Sequence, residues 1–268
     1  MLNIANMQLG KLPHYPRAKD MHLRAYLDRA KAKVDLQAAP AAINWYEMST
    51  PAGTLPEWDG DVLGNDHAGD CALAAPAHVE MLESKLSGSP VAITTDQVLA
   101  EYASLAGYNP SDGTGDNGAY LRDVMDRWRT VGLFGERIDA YLWVNPHDPI
   151  EMAWALWHSG GLIGGFSLPL CARDQVDSQG NPDWYIPADG WPQNDGPGAW
   201  GGHAIAIHGG GNSWGLPTHW TDEWFRVCCD ELIMPISKRW QLRNGRTPNG
   251  LAYADVLADA RARGAVVA

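Results

Sequence analysis

The sequence predicts an α+β protein in which a helical lobe packs against a small antiparallel sheet or barrel. Helical spacing of apolar residues dominates the earlier part of the chain, and short apolar runs typical of buried strands come later. The 13 Trp, 29 Gly and 18 Pro indicate many loops and argue against a helical bundle. At 268 residues, the chain can bury a large core as one domain or as two lobes around a cleft.

The helical lobe is expected to begin at Cys71. Pro76 lies inside the first predicted helix, so we expect a kink there or a later start. Thr94 and Gln97 form a capping-box pattern that begins the second helix. The predicted helices span residues 71–86, 95–106, 119–131 and 149–158, with a late amphipathic helix over 251–263.

The strand candidates follow the helices. Residues 162–168, 203–207 and 224–228 are short and apolar. Residues 180–198 are rich in Pro, Asp and Gly and predict a long loop.

The charge is unevenly distributed. The formal net charge is −12, but residues 1–40 hold seven Lys or Arg against three Asp. We interpret 1–40 as a basic N-terminal arm, 41–236 as the main domain and 237–268 as a tail with a short helix. The arm, with a predicted helix over 19–34, either folds back over the acidic body, reaches an acidic partner in an assembly, or is simply a solvated helix.

Several classes of function are disfavoured by these features. The acidic charge argues against nucleic-acid or anionic-membrane binding over most of the surface. The four Cys lack C-x-x-C spacing, so we expect no zinc site and no cofactor. The N-terminus does not resemble a signal peptide, and we expect the protein in a reducing cytoplasm.

Two residues suggest covalent chemistry. Cys71 follows a Gly/Asp-rich loop at the start of a helix, and His203 begins an apolar strand. A thiol reacts as the thiolate, which an imidazole or a helix N-terminus can stabilise. Cys71 and His203 are therefore the predicted nucleophile and base.

The order of these and neighbouring segments resembles that of papain-like cysteine peptidases, over about 41–236. In that family a His and an Asn follow the Cys by roughly 130–150 residues, as His203 and Asn212 do here. The resemblance implies a papain-like fold and implies that Asn65, in the place of a Gln, helps to form the oxyanion hole. The matching segments are Ile43-Asn44-Trp45, Asn65-x5-Cys71, Asp116-Asn117-Gly118-Ala119, His203-Ala204-Ile205 and Asn212-Ser213-Trp214-Gly215.

The chain also resembles papain-like proteins encoded by bacteriophages and prophages. Three segments carry this likeness: Leu9-Gly10-Lys11-Leu12-Pro13, Asn65-Asp66-His67-Ala68-Gly69-Asp70-Cys71 and Trp200-Gly201-Gly202-His203-Ala204. The resemblance implies expression in a bacterial host cytoplasm and a place in the virion as one option.

The resemblance also implies that Asn212 orients the imidazole of His203. A hairpin that turns at residues 208–211 would instead hold Asn212 more than about 10 Å from that ring. Asp222, Asn194 or no third residue are the alternatives.

Three functions fit the sequence. The first is a cysteine peptidase or amidase of phage origin, acting on a protein or a cell-wall peptide. The second is a catalytically idle papain-fold component of a virion, such as a capsid, connector or tail accessory protein, whose residues 1–40 contact other virion proteins. The third is an inhibitor or binding module that uses the same cleft.

Overall fold

The computed structural model describes residues 7–18, 20–27, 33, 36–37, 39, 43–45, 48, 62–178, 180–209, 218–239 and 244–262. The helices are α1 (Cys71–Leu86), α2 (Thr95–Ala106), α3 (Leu121–Thr130), α4 (Pro149–Ser159), α5 (Asp222–Cys228) and α6 (Tyr253–Ala262). The strands are β1 (Ile138–Trp143), β2 (Leu162–Leu168), β3 (Asp183–Trp184), β4 (Gly201–Ile207), β5 (His219–Trp220) and β6 (Cys229–Ser237). Short 3₁₀ turns occur at Leu23–Ala25 and Leu170–Arg173.

The five predicted helices that follow the arm are confirmed, and each end lies within two residues of the prediction. The capping box of α2 is present, with Thr94 accepting from the Gln97 amide and Gln97 accepting from the Thr94 amide. Helix α1 begins at Cys71 and contains Pro76, so the alternative of a later start is wrong. Pro76 has no N–H to donate to the carbonyl of Ala72, and α1 continues without that bond.

The prediction of a strand over residues 224–228 is wrong, because these residues belong to α5. The side chain of Thr221 accepts a hydrogen bond from the amide of Trp224, and two acidic residues occupy the first turn of this helix. An N-cap threonine and acidic residues in the first turn both indicate the start of a helix, and the strand prediction did not take them into account. The strand comes directly after, as β6.

The main sheet has four antiparallel strands in the order β1-β6-β2-β4. Strand β4 pairs with β2 so that His203 stands opposite Phe166 and Ala204 opposite Gly165. A separate pair of two-residue strands, β3 and β5, is parallel. The sheet is the predicted antiparallel element, and β4 carries His203.

Each face of the sheet covers a different core. Ala204 and Ala206 of β4 belong to the cluster around α1, α2 and α3, which includes Cys71. Phe166 and Ile207 belong to the cluster on the opposite face. That second cluster contains the rings of Trp184, Trp220, Trp224 and Phe225.

The described part of the N-terminal arm lies across both lobes. Arg122 of α3 pairs with Asp20, and the amide of Trp143 in β1 donates to the carbonyl of Met21. Of the predicted helix over 19–34, the described residues show the 3₁₀ turn at Leu23–Ala25, and much of the range lies outside them. The proposed boundaries of arm, domain and tail remain predictions.

Candidate active site

Cys71 is the first residue of α1 and is almost completely buried, with 1% of its surface exposed. Burial raises the pKa of its thiol from 9.0 to about 11, although the backbone amides of Ala204, Gly10 and Lys11 donate toward the sulfur. That rise corresponds to roughly 3 kcal/mol against the thiolate. A helix N-terminus usually contributes about 0.3–1 kcal/mol the other way. In this closed site the thiol is therefore protonated at neutral pH.

His203 lies on β4 one residue before Ala204, whose amide reaches the Cys71 sulfur. The structure thus brings the start of α1 against the start of β4. The imidazole is buried, and its Nδ1 atom has no hydrogen-bond partner among the described residues. Because burial lowers the pKa of His203 to about 4, the ring is neutral at pH 7. Among the described residues, no hydrogen bond or ion pair joins the thiol to the imidazole.

Asn65 is buried beside the arm and its side-chain amide is already engaged. Its Nδ2 atom donates to the carbonyl of Gln8 at 2.9 Å and to that of Ala68 at 3.1 Å. The Asn65 carbonyl in turn accepts from the amide of Gln8 at 2.9 Å. The predicted oxyanion donor therefore binds a carbonyl group of the arm.

The third member of the predicted triad stays open. Asn212 lies outside the described residues. Asp222 is exposed in the first turn of α5, and Asn194 is exposed with a left-handed φ of 63°. Neither shares the buried surroundings of His203.

The arm passes directly over Cys71 as an extended segment, residues 8–12, which we call the cleft strand. On one side, Ala119 donates to the Gly10 carbonyl at 2.7 Å and accepts from the Leu12 amide at 3.0 Å. On the other, the Lys11 amide donates to the Gly202 carbonyl at 3.1 Å. The cleft strand is thus hydrogen-bonded to the loop before α3 and to β4, and it fills the space between the lobes.

Glycines permit this close passage. A Cβ atom on Gly10 would overlap the carbonyl oxygen of Gly69, and one on Gly118 would overlap that of Gly10. A Cβ atom on Gly202 would likewise overlap the Lys11 carbonyl. The backbone of the cleft strand therefore lies directly against the backbone at Gly69, Gly118 and Gly202, with no side chain between them.

Asp116 joins the two loops beneath the cleft strand. Its carboxylate accepts from the Gly69 amide at 3.0 and 3.1 Å and from the Tyr102 hydroxyl at 2.6 Å. The Tyr102 oxygen accepts from the Gly118 amide at 2.8 Å. Burial, and then the bond to Asp116, raises the pKa of Tyr102 and keeps it protonated.

Asp70, at the N-cap of α1, was not singled out in the sequence. It is fully buried, and neither carboxyl oxygen has a hydrogen-bond partner within the described ranges. Burial raises its pKa to about 8, so it is largely protonated at pH 7. Ionised, it would further disfavour the thiolate of Cys71 beside it.

Sequence reasoning also missed the roles of Gly10 and Lys11 in the site. The signal was present, since both belong to the Leu9–Pro13 segment, but no local pattern places that segment against Cys71. Among the described residues, no cluster of His, Cys, Asp or Glu could hold a metal ion, and no helix is long and apolar enough to cross a membrane.

The fold and the position of Cys71 define a papain-like α+β architecture. No protein-family model matches the chain, and no curated protein matches it. Among solved structures, xylellain, a cysteine protease from Xylella fastidiosa, is similar with a TM-score of 0.57 and 15% identity, over 86% of this chain and 96% of that one. The predicted fold is therefore confirmed, and at this identity the likeness establishes the fold alone.

Two weaker structural matches are also proteins of the papain-like type. Procathepsin L 3 from the larval midgut of Tenebrio molitor gives a TM-score of 0.47 at 11% identity, over 87% of this chain and 76% of that one. The proform of the ragweed pollen cysteine protease Amb a 11 gives 0.42 at 15% identity, over 75% and 67%.

Proposed function

We propose that this chain is a papain-like cysteine peptidase or amidase whose cleft is closed by its own cleft strand. The observation that carries the proposal is the Gly10–Lys11 peptide, an extended backbone bonded on both sides with its amides on the Cys71 sulfur. A cleft that holds extended peptide against a thiol suits acyl transfer to sulfur.

In the open form, the Cys71 sulfur attacks the carbonyl carbon of the substrate while His203 accepts the thiol proton. The carbon–nitrogen bond then breaks, His203 returns the proton to the leaving amine, and a thioester remains on Cys71. Water activated by His203 hydrolyses the thioester and restores the thiol. The Cys71 amide and Asn65, released from Gln8, donate to the oxyanion.

Displacement of the cleft strand changes the protonation of Cys71 and His203 as well as the access of substrate to them. Burial is the main cause of the raised pKa of Cys71, and burial also lowers the pKa of His203. Water that replaces the cleft strand relieves both, so the thiol becomes more acidic and the imidazole more basic. The closed form is therefore a latent state of the same site.

The test compares two glycine variants of the full chain. Gly10→Ala forces the cleft strand away from Gly69, whereas Gly196→Ala adds the same methyl where no atom lies within 4 Å. We expect Gly10→Ala to react with a peptidyl vinyl sulfone at Cys71 and to hydrolyse peptides, unlike the wild type and Gly196→Ala. Adding His203→Ala should slow the reaction by about 10²–10⁴-fold.

Peptide mapping by mass spectrometry separates Cys71 from the half-buried Cys171. A cooperative thermal unfolding transition shows that Gly10→Ala is folded. The proposal is wrong if this folded variant reacts with small alkylating reagents but hydrolyses no peptide, and if adding His203→Ala does not slow its reaction with the vinyl sulfone.

We also propose that the chain is of phage origin. This origin is supported by the three sequence segments described above, among them Leu9–Pro13, which supplies the cleft strand. The substrate is then a protein or a cell-wall peptide met in a bacterial host.

A second candidate, an idle papain-fold component of a virion, is favoured by one observation. The cleft strand is held by backbone contacts and buried ion pairs, and Cys71 and His203 are both uncharged. On this view Cys71→Ala changes no property of the protein, and Gly10→Ala yields no hydrolysis.

A further inference from the structure

The side chain of Lys11 leaves the cleft strand and enters a closed space beside Cys71. Only 1% of it is exposed, and its Nζ atom lies 3.0 Å from a carboxylate oxygen of Asp230 and 3.0 Å from one of Glu231. Burial opposes the charge of Lys11, but Glu231 and Asp230 more than offset it and raise its pKa. The ammonium group is therefore charged at neutral pH.

The walls of this space fit an unbranched chain. A Cβ atom on Gly165 would overlap the Cε atom of Lys11 and crowd Leu121, so the glycine provides the room for the methylene groups. Gly165 stands opposite Ala204 in the sheet, and Ala204 donates to the sulfur. The space therefore opens at the nucleophile. We call it the ammonium pocket, formed by Gly165, Leu121, Asp230 and Glu231.

The acidic groups are held in place by neighbours other than Lys11. Ser167 donates to Asp230 at 3.0 Å, and His14 lies 3.0 Å from the second carboxylate oxygen of Glu231. Glu231 is 2% exposed, whereas Asp230 is 35% exposed. When the cleft strand leaves, it removes Lys11 from Glu231, whereas His14 follows the cleft strand in the chain. A cation that enters the emptied space restores the charge pairing that Lys11 gives Asp230 and Glu231 in the closed form.

We propose that the ammonium pocket is the specificity site of the enzyme and selects peptides that carry a lysine, or another unbranched side chain ending in a primary ammonium, next to the reacting bond. The inference rests on the proposed function. The Lys11 backbone already bonds as a bound peptide would, through its amide to Gly202 and to the sulfur. Arginine is disfavoured, because its planar guanidinium is broader than the ammonium for which the space is filled.

The first experiment measures binding without turnover. In full-length Lys11→Ala, n-butylammonium is titrated while thermal unfolding and the alkylation rate of Cys71 are followed, with n-butanol as the uncharged control. We expect butylammonium to raise the melting temperature and slow alkylation, and butanol to do neither. Wild type and Lys11→Ala/Glu231→Gln should not respond. If Lys11→Ala does not fold alone, its refolding is measured with added butylammonium. Lys11→Met is the second variant, and the same titration is made on it with methylammonium.

The second experiment measures selectivity in the double variant Gly10→Ala/Lys11→Ala, because Lys11→Ala alone leaves the cleft strand over Cys71, with peptides that differ only in lysine, norleucine or arginine. We expect kcat/KM for lysine to exceed that for norleucine by at least about tenfold, and Glu231→Gln to abolish the difference. An equal response to amine and alcohol, or hydrolysis without lysine preference, overturns the pocket. Amine binding in a protein that hydrolyses no peptide supports the pocket and contradicts the proposed peptidase, so the two failures are distinguishable.

Discussion

The two faces of the four-stranded sheet are both buried but are held in different ways. One face is covered by stacked rings, with Trp224 4.7 Å from Trp184 and 5.7 Å from Phe166 between centroids. The other, which we call the cleft face, is covered by the apolar cluster of α1, α2 and α3 and, at the start of β4 near Cys71, by the cleft strand through backbone hydrogen bonds, glycine contacts and the ion pairs of Lys11. Apolar burial does not depend on protonation, whereas these polar contacts exchange for water or for a ligand. We therefore expect the two apolar clusters to maintain the fold when the cleft strand leaves.

Removing a ring from the first face should have the largest effect on stability. Trp224→Ala deletes a fully buried side chain, and we expect the free energy of unfolding to fall by about 3–5 kcal/mol. Denaturant titration measures this, with Val227→Ala, exposed on the same helix, as the control. Cys71 alkylation should rise only in proportion to global unfolding. If Trp224→Ala made Cys71 react faster without lowering the free energy of unfolding, the face covered by stacked rings would control access to Cys71 and the two faces would not differ in this way.

The cleft face should instead respond to pH through Asp70. Because its pKa is raised from 3.8 to about 8 in the folded state, the folded protein binds the extra proton. Its contribution to stability is complete below about pH 4 and is lost as the pH rises to 8. Asp70→Asn should flatten this decline, gaining up to roughly 4 kcal/mol on the wild type between pH 5 and 8.

Denaturant titrations at several pH values give this difference directly. Asp96→Asn, at an exposed position in the first turn of α2, is the matched control and should parallel the wild type. Parallel curves for Asp70→Asn would mean that Asp70 does not carry the buried proton.

Loss of one hydroxyl should have the smallest effect. Tyr102→Phe removes the bonds to Asp116 and from Gly118, so we expect a cost of about 1–2 kcal/mol. Hydrogen exchange should show the Gly118 amide losing protection, and Tyr185→Phe, at an exposed tyrosine, should show no change. An unchanged Gly118 amide would show that Asp116 holds the loops without Tyr102.

The helices and β2 could be predicted because their signals are local. The capping box at Thr94, Pro149 in the first turn of α4 and Gly160 in left-handed conformation after it each mark a boundary within a few residues. The run at 224–228 failed for the opposite reason. In a run of only five residues, with Trp224 and Phe225 buried and Arg226 and Val227 exposed, periodicity does not separate helix from strand, and the Thr221 cap was the better guide.

The site was only partly predictable for a related reason. Cys71 and Asn65 could be identified from one loop, and His203 from the start of a strand. Lys11 and Asp230, however, are 219 positions apart, and no local sequence pattern at either residue predicts their contact. The basic composition of the arm left folding back on the acidic body as one of three alternatives. The described part shows Lys11 against Asp230 and Glu231, and which acid it meets depends on the pairing of β6 with β2.

The contact of Gly10 with Gly69 makes two distant positions depend on each other. A related chain that keeps the cleft strand must keep both residues without side chains, whereas in one that has lost the strand only the Asp116 carboxylate still restricts position 69. Co-occurrence of the two glycines across relatives would therefore report which of them retain a self-closed cleft, even where the cysteine itself is invariant.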